Sequence, residues 1–509
     1  MAEKREIKAD YLAGAEELNG FSAWPWPVRD FEPVIRARLE KAVPRELLVS
    51  ELRAQNQHLP DSAAVLANIN LLAEENTLTV TTGHQVCLLG GPMFTIYKIA
   101  STVALAQELS GRYPAYQFVP VLWMATEDHD WEEVNHFYPA FGEKVTYPGT
   151  FVGPVGRHVL EESIAGILPA GLPEAIREAY TPGNTIAEAF RSLMHHLFGH
   201  SGLVILDADR PSLKRVFSPA LRRELLREGM GGPARETTQK LEELGYKAQI
   251  FPREINLFYL GEGGRSLIDF RDGRFVLKDS PKSWDEAGFL AELEAHPEHF
   301  SPNVALRPAY QESLLPNAAF VGGWAEVSYW LQLKAGFDAL EVPFPVLVPR
   351  LHATLLTNSQ AEEAHALGLM PQELAQPLHV LNDLYLAQSW DDSPLSEAIA
   401  GVIAAFDQLA AEVASIDPTL ATGIRADQAR AANSIESLPK KVKKALRNRN
   451  PQPYLRISAL KNAVEPENTQ QQRVLNFSAF LPMAPQALTR IVLEHCQPLS
   501  TESQWIKLP

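Results

Sequence analysis

Four short apolar runs, each closing on polar residues, restrict the fold of this chain more than any other feature. They are TLTVTT (77–82), FVPVLWMA (118–125), GLVILDAD (202–209) and PFPVLVP (343–349), with helical spacing between them. Strand, loop and helix in alternation imply an α/β fold, because parallel neighbours need a crossover and the crossover helices bury the sheet faces. The loops after the strands then share the sheet's carboxyl edge, where open α/β folds bind ligands. A strand of 77–82 puts Thr82, Gly83, His84 and Gln85 in a turn at that edge, ahead of a helix from about Pro92 that carries Tyr97 and Lys98. The second run ends in TEDHDWEEVNH, the third in two aspartates, and the fourth delivers Arg350.

At 509 residues the length suits two to four structural units. A formal charge of -16 repels phosphate backbones, so no nucleic-acid partner is expected. The basic run KKVKKALRNRN (440–450) is expected to be a solvated helix face. Two cysteines, Cys87 and Cys496, are too few for a disulfide framework and point to a reducing, cytoplasmic setting. The most apolar window, 86–106, is broken by Gly90, Gly91, Pro92 and Lys98, so no membrane span is expected.

Residues 1–76 carry apolar residues at helical spacing and are expected to pack on the first strand. INLFYLGEGGRSLIDFRDGRFVLKD changes to period two, with turns at Gly261–Gly264 and Asp272-Gly273, which predicts a small antiparallel insert. From Leu395 the series Ile399, Val402, Phe406, Leu409, Val413 and Ile416 alternates four and three, a coiled-coil seam with Ser393 as its expected cap. A second helical stretch after Pro418 returns along it. The pair leaves apolar surface, which suits a homodimer.

Three clusters carry chemistry. At Thr82, Gly83, His84 and Gln85, glycine admits a ligand close to the backbone and the next helix offers free N–H groups to an anion; a turn merely tied down by His84 and Gln85 is the bland alternative. Glu127, Asp128, His129, Asp130 and Asn135 crowd carboxylates at a strand end, where they raise one another's pKa or take up an amine. Their spacing matches no zinc pattern, so no metal ligand is assigned. In SPNVALRPAYQESLLPNAAFVGGWAEVSYW stand Asn303, Arg307, Gln311, Glu312, Gly322, Gly323 and Glu326. The forks of Arg307 and Arg350 match carboxylates in two hydrogen bonds, unless internal glutamates take them. Cys87 reads as an apolar filler.

The motifs TTGHQ, GGPMFTIYKI, VPVLWMATEDHDWEEVNH, SPNVALRPAYQE, LLPNAAFVGGWAEVSYWLQL, PVLVPR and ENTQQQRVLNFSAFLP, in this order over roughly 60–482, resemble the bacillithiol biosynthesis cysteine-adding enzymes. The resemblance implies a Rossmann-like core of the nucleotidyltransferase kind, a connecting insert and a coiled-coil arm tied to dimer formation. It divides the chain into an N-terminal helical segment (1–76), core (77–247), insert (248–300), core (301–360), arm (361–450) and a C-terminal return to the core (451–509). It also implies amide formation between cysteine and glucosaminyl malate, the last step of bacillithiol synthesis. An amine attacks a free carboxylate poorly, so an activating cofactor is expected; ATP or ADP with magnesium is the candidate, and no cofactor is assigned. From residue chemistry, His84, Asp128 and His129 are expected to be catalytic, with the other residues of the three clusters, Tyr97, Lys98 and Arg350 holding substrate. The alternatives are a coiled-coil scaffold or another ATP-dependent ligase joining an amino acid to an amine on this core.

Overall fold

The computed structural model describes residues 5–261, 264–278 and 280–509. Residues 1–353 with 472–504 form one compact unit, and 354–471 with 505–509 form a second.

The first unit is built on a parallel sheet of β1 (Thr77–Gln85), β2 (Gln117–Ala125), β3 (Val204–Asp207), β4 (Asn317–Gly322) and β5 (Val346–Pro349). Their order is β5-β4-β1-β2-β3. The chain therefore winds outward from β1 in one direction, then returns to lay β4 on the other side. This is the doubly wound Rossmann-like order, and its reversal opens a crevice between β1 and β4. Helices α1 (Phe94–Arg112), α2 (Ile186–Phe198), α3 (Pro211–Leu225), α4 (Arg307–Leu314) and α5 (Trp324–Leu340) accompany the strands. Residues Leu78, Val80, Val119, Val121, Val204, Phe320 and Leu347 are fully buried. Each such side chain stabilises the sheet by about 1.5–3 kcal/mol.

Three expectations change. β4, the stretch NAAFVG, is a strand that the four apolar runs omit. It is buried throughout, so it needs no alternation of apolar and polar residues. β1 runs on to Gln85, pairing His84 with Met124 and Gln85 with Ala125, so His84 and Gln85 are strand residues and not turn residues. The amino-terminal helices Glu32–Leu39, Arg45–Asn56 and Ala63–Leu71 pack chiefly on β4, β3 and β2 instead of β1, because β1 is central and already flanked.

The insert is an antiparallel sheet of Leu257–Gly261, Gly264–Arg271, Arg274–Leu277, Ser283–Trp284 and Phe300–Pro302. Asp272 and Gly273 both have positive φ, 50° and 73°, as a tight hairpin turn requires. The tip of the Gly261–Gly264 turn, 262–263, lies outside the described residues.

In the second unit α6 (Ser393–Ala414) pairs with α7 (Pro418–Ile435), and the Gln428 amide donates to Ile403 O and Asp407 Oδ1. Ser393 begins α6 instead of capping it, and its N–H is accepted by Asp391. Asp417 caps α7 through the Thr419 N–H. α8 (Leu438–Arg449) carries the basic run and buries none of its residues fully, but the run is not wholly solvated: Lys443 pairs with Asp383 at 3.5 Å and Arg447 stacks over Tyr454. A separate small core joins Leu356, Leu367, Leu374, Leu381, Ile457 and Leu460. No described helix is long and apolar enough to cross a membrane.

Candidate active site

The carboxyl edge of the sheet carries two clusters of opposite character. The first lies at the β1/β4 crevice. Gly83 near the end of β1 faces Arg307: a Cβ placed there would lie 3.5 Å from Arg307 Nη1, in ordinary van der Waals contact with the guanidinium. Arg307 reaches in from the first turn of α4, where its Nη1 donates to Gln311 Oε1 at 3.0 Å. No carboxylate among the described residues pairs with it within 4.0 Å. Arg350, 4% exposed at the end of β5, donates to Leu351 O and Gln472 Oε1 at 2.7 and 2.6 Å and likewise has no such partner. Burial pushes its guanidinium down to about 10, which still leaves it charged at neutral pH.

Lys98 from α1 is 3% exposed; its ammonium donates to Gly83 O and pairs with Glu326 of α5 at 2.8 Å. Burial lowers its pKa and Glu326 opposes that fall. Glu326 also accepts the Gly323 N–H at 2.9 Å, which ties the start of α5 to the crevice. Three cations thus face one carboxylate. His84 lies among them, its Nε2 2.6 Å from Thr95 Oγ1 and its ring edge-on to Phe94. Burial, then the Lys98 and Arg350 charges, hold its pKa far below the usual histidine value, so the ring is neutral near pH 7.

The second cluster follows β2 and β3. Gln85 joins the two, its amide donating to Asp128 Oδ2 at 2.6 Å and Glu133 Oε2 at 2.8 Å. Arg265 reaches Asp128 Oδ1 at 3.8 Å and His129 Nδ1 at 3.2 Å, with its guanidinium stacked over Phe258. A guanidinium only donates, so His129 Nδ1 accepts and its proton lies on Nε2. Burial pushes the Asp128 carboxyl up, but hydrogen bonds from His129 and Gln85 and the Arg265 charge outweigh it and hold Asp128 well below the usual carboxylate range. Below them, Lys214 of α3 is 1% exposed and bridges Glu127 and Asp209 at 2.5 and 3.1 Å. Arg157 closes on Asp209 through two hydrogen bonds. A cleft of about 500 Å³ beside this cluster is lined by His129, Phe258, Tyr259 and Arg265.

Several expected ligand residues are occupied by the fold. Thr82 donates to Val321 O across the β1/β4 pair, so its hydroxyl serves the sheet. Asn303 caps the approach to α4 through the Ala305 and Leu306 N–H groups. Asp130 caps a short helix at Glu133 N, and Asn135 hydrogen-bonds His136. Glu312 is fully buried, accepts from Gln311 and Asn317, and is pushed by burial up to about 7. It therefore supports Gln311, which holds Arg307, and does not reach a ligand itself. Gly322 O accepts the Arg350 N–H. Tyr97 is fully buried, and its hydroxyl has no hydrogen-bond partner among the described residues. Burial pushes the Cys87 thiol up to about 12, which leaves it inert.

Lys214, Asp209 and Arg265 were not among the expected site residues. The two aspartates closing GLVILDAD marked the edge, but Arg265 comes from the insert, and sequence offers no cue that a hairpin 136 residues after His129 folds back over it.

The descriptions "Bacillithiol biosynthesis BshC, N-terminal Rossmann-like domain" and "Bacillithiol biosynthesis BshC, C-terminal coiled-coil domain" match residues 1–351 and 353–508. The chain belongs to the BshC family. It is 35% identical to a BshC protein of Cytophaga hutchinsonii over 95% of this chain and 92% of that one. It is 36% identical to a BshC protein of Flavobacterium johnsoniae over 89% and 88%. A BshC protein of Bacillus anthracis matches at 27% over 93% of both chains. Each of the three carries the name "Putative cysteine ligase BshC". The Rossmann-like BshC description covers the crevice and both charged clusters, and the coiled-coil description covers α6 and α7.

Proposed function

We propose that this chain is a ligase that joins the carboxyl group of L-cysteine to the amine of glucosaminyl malate, closing bacillithiol biosynthesis in the cytoplasm. The observation that carries the reading is the pairing of Arg307 and Arg350, two cations without carboxylate partners among the described residues, with an acidic edge one strand away. The guanidiniums take the malate carboxylates, because a planar fork fits a carboxylate in two hydrogen bonds. Asp128, held ionised, attracts the ammonium form of an amine and does not take its proton. His129 is the proton acceptor once Nδ1 is released from Arg265, and His84 donates to developing oxyanion charge as a neutral ring.

The cysteine carboxyl must be activated for the amine to attack. ATP with magnesium is the cofactor we propose, and the unpaired Arg307 guanidinium beside Gly83 suits an anionic phosphate as well as a carboxylate. The named relatives and the family description support the ligase reading. The test is purified protein with cysteine and glucosaminyl malate, with and without ATP and magnesium, followed by mass spectrometry. Bacillithiol formed only with ATP is the expected outcome. No amide product under any condition, from protein that binds glucosaminyl malate, overturns it in favour of a binding or scaffold role.

A further inference from the structure

We infer that His296, Glu298 and His299 form a divalent transition-metal site, with zinc the ion that their donors fit best. The three residues occupy the link between the helix Glu286–Ala295 and the strand Phe300–Pro302 of the insert, in the sequence HPEH. Each offers one ligand atom, and these atoms lie within 4.8 Å of one another. His296 Nδ1 and Glu298 Oε1 are 3.1 Å apart. Ligands at about 2.0–2.2 Å around a tetrahedral ion stand roughly 3.4 Å from each other, so this pair needs little adjustment and His299 a modest one. The rings of His296 and His299 stack with centroids 4.8 Å apart, so the two imidazoles lie side by side.

The support behind His299 separates this cluster from a chance surface group. Its Nδ1 lies 2.8 Å from Glu292 Oε1, and Glu292 in turn accepts from the Tyr259 hydroxyl at 2.7 Å. A carboxylate behind a ligating histidine fixes the tautomer and leaves Nε2 for the metal. Two imidazoles and one carboxylate are a borderline donor set that suits zinc over magnesium or calcium, with water in the fourth position. The same loop touches the site: Lys214, which bridges Glu127 and Asp209, donates to the Glu298 carbonyl at 3.2 Å. Metal at this loop pins the insert, and with it Arg265, beside the acidic cluster. This role is independent of the reaction proposed above.

The experiment is equilibrium dialysis of the full chain against zinc with metal analysis, repeated with cobalt to read the ligand field spectroscopically. One saturable equivalent is expected, with a tetrahedral cobalt spectrum. His296→Ala and His299→Ala should each weaken uptake at least tenfold, and Glu292→Gln should weaken it by about 10–100-fold while leaving all three ligands in place. Glu298→Gln serves where a histidine variant does not fold, and His495→Ala is the control. No saturable uptake by the unaltered chain at about 100 µM zinc, or uptake unchanged in folded His299→Ala and Glu298→Gln, shows ordinary histidine–carboxylate pairs only and overturns the site.

Discussion

At the scale of single residues, the site depends on which charges find internal partners. Arg307 donates to the neutral Gln311 side chain and, among the described residues, pairs with no carboxylate within 4.0 Å, so its charge is available to a ligand. Replacing it by Ala removes a charged hydrogen bond worth about 1.5–3 kcal/mol, which raises KM for glucosaminyl malate by roughly 10–150-fold. Steady-state kinetics should show this with little change in thermal stability. Two histidines make stability depend on pH. His84 is held far below its usual range, and burial with the Arg350, Lys8 and Arg473 charges pushes His352 down to about 3. Below about pH 6.5 the unfolded chain binds protons that the folded rings refuse. Stability present above pH 6.5 is therefore lost progressively as pH falls toward 3. Urea unfolding at pH 7 and pH 5 should show a drop, and His352→Gln should reduce it. That Arg350 stands at a strand end was readable from sequence, because an apolar run and the residue that closes it are consecutive. That Thr82 and Asn303 are spent within the fold was not, because a hydroxyl's partner across a sheet depends on register.

At the scale of elements, the Lys98–Glu326 pair joins α1 to α5 beneath the crevice. Glu326→Gln leaves a nearly buried ammonium without its countercharge, and breaking such a pair costs about 3–5 kcal/mol. Chemical denaturation should register that loss, and Lys98→Met combined with Glu326→Gln should lose less than the single changes added together. In the arm, Val402, Leu409 and Ile416 are 44, 47 and 81% exposed, although the heptad pattern marks them as seam residues. α7 covers other positions of α6 and leaves this stripe exposed, and we propose that a second copy of the chain covers it. Val402→Glu with Leu409→Glu should therefore give a monomer by light scattering where the unaltered chain gives a dimer. The seam was legible because periodicity survives without a partner. β4 was not, because six buried residues carry no period.

At the scale of the whole molecule, ligand at the crevice stabilises the first unit by mass action. Glucosaminyl malate at about 100 times its Kd should add roughly 2.7 kcal/mol, raising the melting transition of that unit in calorimetry, and Arg307→Ala should cut that gain to about 0.3–1.4 kcal/mol at the same concentration. The sequence by itself determined the fold class, the edge at which chemistry collects and the family, since apolar runs, polar strand ends and ordered motifs are properties of consecutive residues. The tertiary structure alone decided that β4 lies against β1, that Gln85 links the two charged clusters, that Lys214 neutralises Glu127 and Asp209, and that Arg265 returns from the insert. Those outcomes depend on strand order and on contacts between residues far apart in the chain, and no local pattern encodes either.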